Sequence, residues 1–441
     1  MINLICKFAP LDVKCKLLGV DFMLTNAPRG TKDVLPNQID NWIFIENKIR
    51  NICKRYGYEE IRTPIFEHTE LFQRGIGEGT DVVDKEMYTF QDRGGRSITL
   101  RPENTASVVR AYLQNKLFAD KSLVKLFYTG SMFRYDRPQA GRLRQFHQFG
   151  VEALGEENPA VDAEVIILAV DFLKSLGLND LKLKINTVGC PKCRPVYRQK
   201  LQHFFSDKLD ELCQDCQTRF NKNPLRILDC KTDSNKEFMA DAPKIKDCLC
   251  DDCREHFLKV QELLNAADVD FVVDERLVRG LDYYTKTAFE IQYQPLGAQS
   301  AVAGGGRYDG LIEEIGGSPT PAVGFAAGIE RILVALDLQG LTHSTDNKLD
   351  AFIVAVGSEA EIFAFNLMIK LRREGFNVAM NFAKRSMKAQ MKQAGKSNAQ
   401  YALIIGDDEV KNDVVTLKNL SNSEQETVNV EKLLNTLNKQ S

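Results

Sequence analysis

MFRYDRPQAGRLRQFHQFG, residues 132–150, carries four arginines, three glutamines and a histidine between aromatic-rich flanks. The surrounding stretches LVKLFYTGSMFRYDR and RLRQFHQFGVEALG read as two strands around the turn PQAG. Side chains alternate faces along a strand, so Gln148, Gly150 and Glu152 share one face. A glycine between two polar residues leaves a hollow where a ligand can lie. Arg134, on the first strand, supplies a cation to the same surface. A solvated hairpin edge would have the same composition. The rest of the chain decides between an edge and a floor built for an anion.

Outward from this hairpin, residues 23–185 mix helix and strand. QIDNWIFIENKIRNICKRYGY reads as an amphipathic helix, because Trp42, Ile45, Ile49 and Ile52 recur at helical steps. YEEIRTPIF turns extended, since Pro64 breaks a helix there. SITLRPENTASVVRAYLQNKL reads as strand, then Pro102 near a helix start, then helix. NPAVDAEVIILAVDFLKSLGL is a further helix. Strands resume in VDFVVDERLVRGLDYYTKTAFEIQY, followed by a glycine-rich turn, AGGGRYDGL. AVGFAAGIERILVALDL then runs from strand into helix. QGLTHSTDNK is a polar linker. Beyond it LDAFIVAVG, FNVAMNF and YALIIG alternate with helical segments. That pattern predicts a separate α/β domain of about 90 residues on a partly parallel sheet.

The chain has 441 residues, too many for one ordinary core. Its 58 basic and 60 acidic side chains leave a formal charge of −2, so nucleic acid is not advertised by bulk charge. No apolar run reaches the roughly 18 residues of a membrane span. The first 22 residues lack the pattern of a signal peptide and read as an extension, or as an early start with Met23 as the true one. A reducing cytoplasm is therefore expected. Eight of the eleven cysteines fall between Cys190 and Cys253. In that compartment such a cluster points to metal before disulfides. Cys190 and Cys193, Cys213 and Cys216, and Cys250 and Cys253 form three CxxC pairs, with Cys230 and Cys248 nearby. The first two pairs have zinc-site spacing, but three pairs combine in more than one way, so the ligand set stays open.

Three other stretches carry polar groups toward a site. LVRGLDYYTKTAFEI places Arg279 before Asp282, Tyr283 and Tyr284. GFAAGIERIL puts Glu330 and Arg331 in the first turn of a helix, where an arginine opposes the dipole and wants an anionic partner. AGGGRYDGL fails both the P-loop and the dinucleotide spacing. No nucleophile–base arrangement stands out, so any chemistry would rest on arginines stabilising an anion.

Together these stretches resemble the class II aminoacyl-tRNA synthetases, and among them the histidyl-tRNA synthetase family, from about Met23 to the C-terminus. APRGTKDVLP resembles the family's N-terminal signature. YGYEEIRTPIFEHTELF resembles motif 1, with Pro64 at a dimer interface. FRYDRPQAGRLRQFHQFGVEALG resembles motif 2 and GFAAGIERIL motif 3. LVRGLDYYT and AGGGRYDGL resemble the two histidine-specific motifs. The resemblance implies an α+β catalytic core on an antiparallel sheet (residues 23–340). A Cys-rich insertion at 190–260 would interrupt it, and an anticodon-binding α/β domain would follow at 347–441. It implies a homodimeric, cytoplasmic ligase that uses ATP with Mg2+, L-histidine and tRNA(His).

Residue by residue, Arg134, Arg279 and Arg331 would surround the ATP α-phosphate as the histidine carboxylate attacks it, with Glu103 also at the ATP site. Glu152 and Tyr284 would read the imidazole, with Tyr283 nearby. Glu103, Thr105 and Gln148 would surround the α-amino group. Arg137, Gln139 and Arg142 would face the tRNA acceptor end. Lys384, Arg385 and Lys388, continued by Lys392, would contact tRNA from the second domain. One departure stands out: Asn104 occupies a position where the family often has glycine, and asparagine tolerates positive φ better than most residues.

Two rivals remain. One is a synthetase-like regulatory subunit of ATP phosphoribosyltransferase, a class that usually loses the C-terminal domain and the ATP-binding arginines, both kept here. The other is a zinc-dependent RNA-binding protein with an inactive core.

Overall fold

The computed structural model describes residues 26–440 apart from 78, 79, 81, 140, 231, 343–347 and 384. The N-terminal extension thus lies outside the described residues, as do Lys384 and the middle of the linker. The chain divides into two units, residues 1–343 and 344–441.

In the first unit, α1 (Ile39–Arg55) forms where the apolar stripe was legible. Ile45, Ile49 and Ile52 are buried and Trp42 packs beside them. Asp40 in its first turn and Lys54 and Arg55 in its last suit the helix dipole. Strands β1 (Glu59–Glu60), β2 (Phe66–His68), β3 (Tyr88–Gln91) and β4 (Ser97–Leu100) lead to α2 (Thr105–Gln114). The long hairpin is β5 (Val124–Phe133) and β6 (Gln145–Leu154), followed by α3 (Pro159–Ser175) and β7 (Leu181–Thr187). The Cys-rich segment contains α4 (Gln214–Lys222) and leads into α5 (Asp251–Ala266). Strands β8 (Val272–Val273), β9 (Thr285–Tyr293), β10 (Ala301–Arg307) and β11 (Ala322–Gly328) precede α6 (Ile329–Leu338).

Eight strands make one sheet in the order β1-β5-β6-β11-β10-β9-β7-β8. Its six central strands pair antiparallel, and only the edge pairs β1/β5 and β7/β8 are parallel. A smaller sheet, β2-β4-β3, stands apart. One face of the large sheet is covered by α1, α3, α5 and α6. Phe149 and Val151 of β6 pack there with Ile45, Ile166, Val260 and Ile332. Each such fully buried side chain contributes about 1.5–3 kcal/mol. The period-2 alternation then sends Gln148, Gly150 and Glu152 to the opposite face, which is only partly roofed and holds the candidate site.

Two sequence expectations change here. AGGGR is no turn: it is β10, at the sheet's centre between β9 and β11. Turn composition misled because these glycines serve close packing. A Cβ on Gly304 would lie 2.6 Å from the Arg279 guanidinium. The segment RLVRGLDYY is irregular chain between β8 and β9, so Tyr283 and Tyr284 escape strand alternation and both are buried.

A polar knot ties the core together. Arg307 of β10 is fully buried and its Nε donates to both Asp162 carboxylate oxygens of α3 at 3.1 Å. Its Nη1 donates to Glu156 O at 3.0 Å and Asp309 Oδ1 at 3.1 Å. His256 Nε2 of α5 lies 3.1 Å from Asp162 Oδ1 and 3.2 Å from Thr287 Oγ1. Burial alone would raise the Asp162 pKa, but His256 and Arg307 outweigh it and hold the carboxyl below its ordinary range.

The second unit carries a five-stranded sheet. Strands β12 (Leu349–Ala355), β13 (Val378–Met380), β14 (Ala399–Ile405), β15 (Val414–Asn419) and β16 (Gln425–Asn429) lie in the order β13-β12-β14-β15-β16. β12 runs parallel to β13 and β14, and the remaining pairs are antiparallel, so the partly parallel sheet is found as expected. Helices α7 (Ser358–Arg373) and α8 (Met387–Lys396) complete the βαβα run. Arg385, Lys388 and Lys392 are exposed. Among the described residues no helix is long and apolar enough to cross a membrane.

Candidate active site

The open face of the large sheet holds a cavity of about 290 Å³. Its floor comes from β5, β6, β10 and β11. Its walls come from the start of α2, the loop before β9 and, from the Cys-rich segment, Arg226. Glu103, Thr105, Arg134, Gln148, Glu152, Arg279, Tyr283 and Tyr284, all singled out in the sequence, line it together.

Glu152 sits at the bottom, 1% exposed. Thr105 Oγ1 donates to its Oε1 at 2.8 Å, and the Tyr308 hydroxyl donates to its Oε2. Burial pushes its pKa up to about 8, against those two donors. A buried carboxyl with hydroxyls around it can read a ring that offers both a donor and an acceptor. The same shift has a stability consequence. Between pH 4.5 and about 8 the folded chain holds a proton on Glu152 that the unfolded chain has released. Stability therefore falls as pH rises through that window. Glu152→Gln should flatten that fall, read as unfolding midpoints at pH 5.5 and 8. A slope identical to the parent's would refute the assignment.

Glu103 is buried and points its carboxylate back along the chain. It accepts from Thr105 N at 2.6 Å and Ala106 N at 3.0 Å, capping two free amides at the start of α2. Burial raises its pKa, opposed by those amides. Asn104 has φ −118°, so no positive φ is demanded there. Its Oδ1 accepts from Thr63 Oγ1 at 2.7 Å and Arg101 Nη1 at 3.1 Å, which fixes the turn by side-chain contacts.

The arginines approach from different elements. Arg134 is aimed by Pro102 O, 2.8 Å from its Nε, and by the Phe146 ring. Arg279 crosses the bare surface of Gly304, and its Nη1 donates to Glu290 Oε2 at 2.8 Å. Arg331, at the start of α6, stands beside this wall. Its Nη1 donates to Ala301 O at 2.7 Å, with Arg142 and Glu290 as electrostatic neighbours. The structure thus brings Arg134 and Arg279 into one cavity and sets Arg331 next to the carboxylate that holds Arg279.

Among the described residues, three buried polar atoms in this cavity make no hydrogen bond: Tyr128 Oη, Gln148 Oε1 and Arg279 Nε. Orphans of this kind are rare in folded proteins, and these belong to residues lining a cavity whose contents can satisfy them. The hollow expected over Gly150 is instead filled by Tyr128, whose ring lies 2.4 Å from where a Cβ would stand.

Sequence reading missed Tyr128, Tyr308 and Arg226. The first two are signalled only by their register, Tyr128 opposite Gly150 and Tyr308 at the end of β10. Arg226 comes from the inserted segment, where nothing local announced it. Arg142, expected at the hairpin tip, turns back into the cavity and pairs with Asp136. Arg137 and Gln139 stay exposed at the tip. His147 belongs to the other face, with Nδ1 2.9 Å from Glu330.

The cysteines divide differently from their order. Cys190 and Cys193 meet Cys250 and Cys253, whereas Cys213 and Cys216 meet Cys230 and Asp233. The first set stands at the neck of the insertion, where the chain enters and leaves it. Its Sγ atoms are 3.6 Å (Cys190–Cys193) and 3.8 Å (Cys190–Cys250) apart. In the second set Cys213 and Cys230 are 3.7 Å apart. Zinc–sulfur bonds of about 2.3 Å in a tetrahedron place sulfurs about 3.8 Å apart, so both donor sets have the right size and chemistry. Spacing left the ligand set open among three pairs; the fold joins the first pair with the last and gives the middle pair Cys230 and Asp233 as neighbours.

Residues 30–332 match the family described as histidyl-tRNA synthetase, and residues 350–440 match the anticodon-binding domain family. The histidine–tRNA ligase of Pelotomaculum thermopropionicum is 55% identical over 93% of this chain and 97% of its own length. That of Clostridioides difficile is 53% identical over 94% of this chain and 99% of its own. The apo histidyl-tRNA synthetase of S. aureus superposes with a TM-score of 0.79 at 40% identity, covering 94% of this chain and all of that one.

Proposed function

The chain belongs to the histidyl-tRNA synthetase family, and from that premise we infer its reaction and the roles of its cavity. It is a histidine–tRNA ligase. It activates L-histidine with ATP to histidyl-adenylate and pyrophosphate, then transfers histidine to the 3′ end of tRNA(His).

A histidine carboxylate oxygen attacks the α-phosphorus, and the bond to pyrophosphate breaks. Negative charge gathers on the phosphate oxygens in that transition state. Arg134, held by Pro102 O, and Arg279, held by Glu290, stabilise it more than they stabilise the ground state. Arg331 receives the outer phosphates beside them. Phosphate charge would be neutralised by Mg2+ held with the ATP. Glu86 and Glu103 are the wall carboxylates that offer a hard cation oxygen ligands. Glu152 and Tyr284 read the imidazole, with Tyr283 packing behind. Thr105 and Gln148 receive the α-amino group. Arg137 and Gln139 lie where the acceptor end of tRNA arrives, with Arg142 behind them. The anticodon side is served by the exposed cations of the second unit. Cytoplasmic residence and a homodimer complete the reading. Exposed Ile65, Phe66 and Phe90 around Pro64 support an apolar dimer face. Cys190, Cys193, Cys250 and Cys253 would hold a zinc ion that ties the neck of the insertion.

The observation that carries this reading is the buried Glu152 carboxyl among three orphaned polar atoms, facing fixed guanidiniums. ATP–pyrophosphate exchange measured with all twenty amino acids tests it. Exchange with histidine alone, followed by aminoacylation of tRNA, is expected. No histidine-dependent exchange would remove the proposal and favour either rival.

A further inference from the structure

Arg226 has no counterpart in the motifs that define the cavity, yet it lines the wall with Arg134, Arg142 and Arg279. It also lines a neighbouring cleft with Arg279, Asp282 and Tyr284. It sits on a single turn, Pro224–Ile227, at the end of α4. That turn reaches the rest of the unit through Asn223, whose Nδ2 donates to Asp282 Oδ1 at 2.8 Å. Arg226 also faces Asp282 electrostatically, and the position of the turn depends further on what anchors the two ends of its segment.

Those ends are Cys216, in the first turn of α4, and Cys230, just past the Arg226 turn. They belong to one cluster with Cys213 and Asp233. Asp233 is fully buried. It accepts from Cys213 N at 3.0 Å and pairs with Lys236 at 3.0 Å. Three thiols are weak donors for a buried carboxylate. Three thiolates and a carboxylate, by contrast, form a closed set for a divalent cation that favours sulfur. Ile227 and Leu228 pack in the same small core as these cysteines, so the cluster and the turn share one support.

We infer that Cys213, Cys216, Cys230 and Asp233 form a second zinc site whose ion closes the segment that delivers Arg226 to the catalytic cavity. Arg226 then touches the anionic substrate, and the four ligands are positioning residues acting through it. The proposal rests on the histidine-activating role assigned above. It goes further in making the inserted segment part of the active site and dependent on a metal.

The test uses the full chain purified without chelator. Elemental analysis should find two zinc ions per chain, and one in Cys213→Ser/Cys230→Ser. Arg226→Ala should keep both ions and lose about 10²-fold in kcat/KM for histidine-dependent exchange. Arg226→Lys should recover part of that loss, which a merely structural role would not give. The cysteine variant should lose as much as Arg226→Ala, and the combination no more than either alone. Fewer than two ions in the parent, parental activity in Arg226→Ala, or multiplying losses would each overturn the inference. If the cysteine variant fails to fold, the parent's zinc count and the Arg226→Ala rate still decide. A parent without exchange but with two ions removes the enzymatic role and leaves the metal site standing.

Discussion

Arg279→Ala lowers histidine-dependent ATP–pyrophosphate exchange by about 10³-fold while the melting temperature stays within a few degrees of the parent's. The size follows from where the guanidinium points. It lies across Gly304 with Nε unpartnered and one end fixed by Glu290. The transition state can therefore use a donor that the apo protein leaves idle. Stability is spared because Glu290 keeps a second partner, Gln292 Nε2 at 2.6 Å. Lysine restores little, since it lacks the planar fork that meets two phosphate oxygens at once. The loss should fall on kcat rather than on KM for histidine, because the interaction strengthens only as charge develops. A variant that unfolds, or one that retains exchange, would show the arginine to be a packing element.

Arg307→Ala should cost about 3–5 kcal/mol of folding stability, the largest single loss expected outside the cavity. The arginine is fully buried and spans α3, β10 and the Asp309 turn. Removing it leaves Asp162 charged and buried with only His256 and no guanidinium. Denaturant unfolding of parent and variant measures the difference. A loss under about 1 kcal/mol would mean that water or rearrangement compensates. Activity should fall only in proportion to the folded fraction, which separates this arginine from Arg279.

Much of the fold was readable because its signals are local. The stripe Ile45, Ile49, Ile52 marks α1, and the alternation of β6 sorts Phe149 and Val151 from Gln148 and Glu152. What sequence misplaced depends on distant partners. The glycines at 304–306 look like a turn until Arg279 and β11 are seen pressed against them. The hollow at Gly150 looks open until Tyr128 is found across the hairpin. Arg226 is invisible for the same reason, since only the folded insertion brings it to the cavity. The cysteine grouping stayed open because sequence spacing cannot tell that a segment's first and last pairs meet.

That meeting has a consequence for how the protein changes over time. The excursion between β7 and α5 begins and ends at one point, closed by Cys190, Cys193, Cys250 and Cys253. It can lengthen, shrink or be exchanged without moving any strand register. Innovation there is cheap for the scaffold, and each new loop arrives already tethered within reach of the reaction.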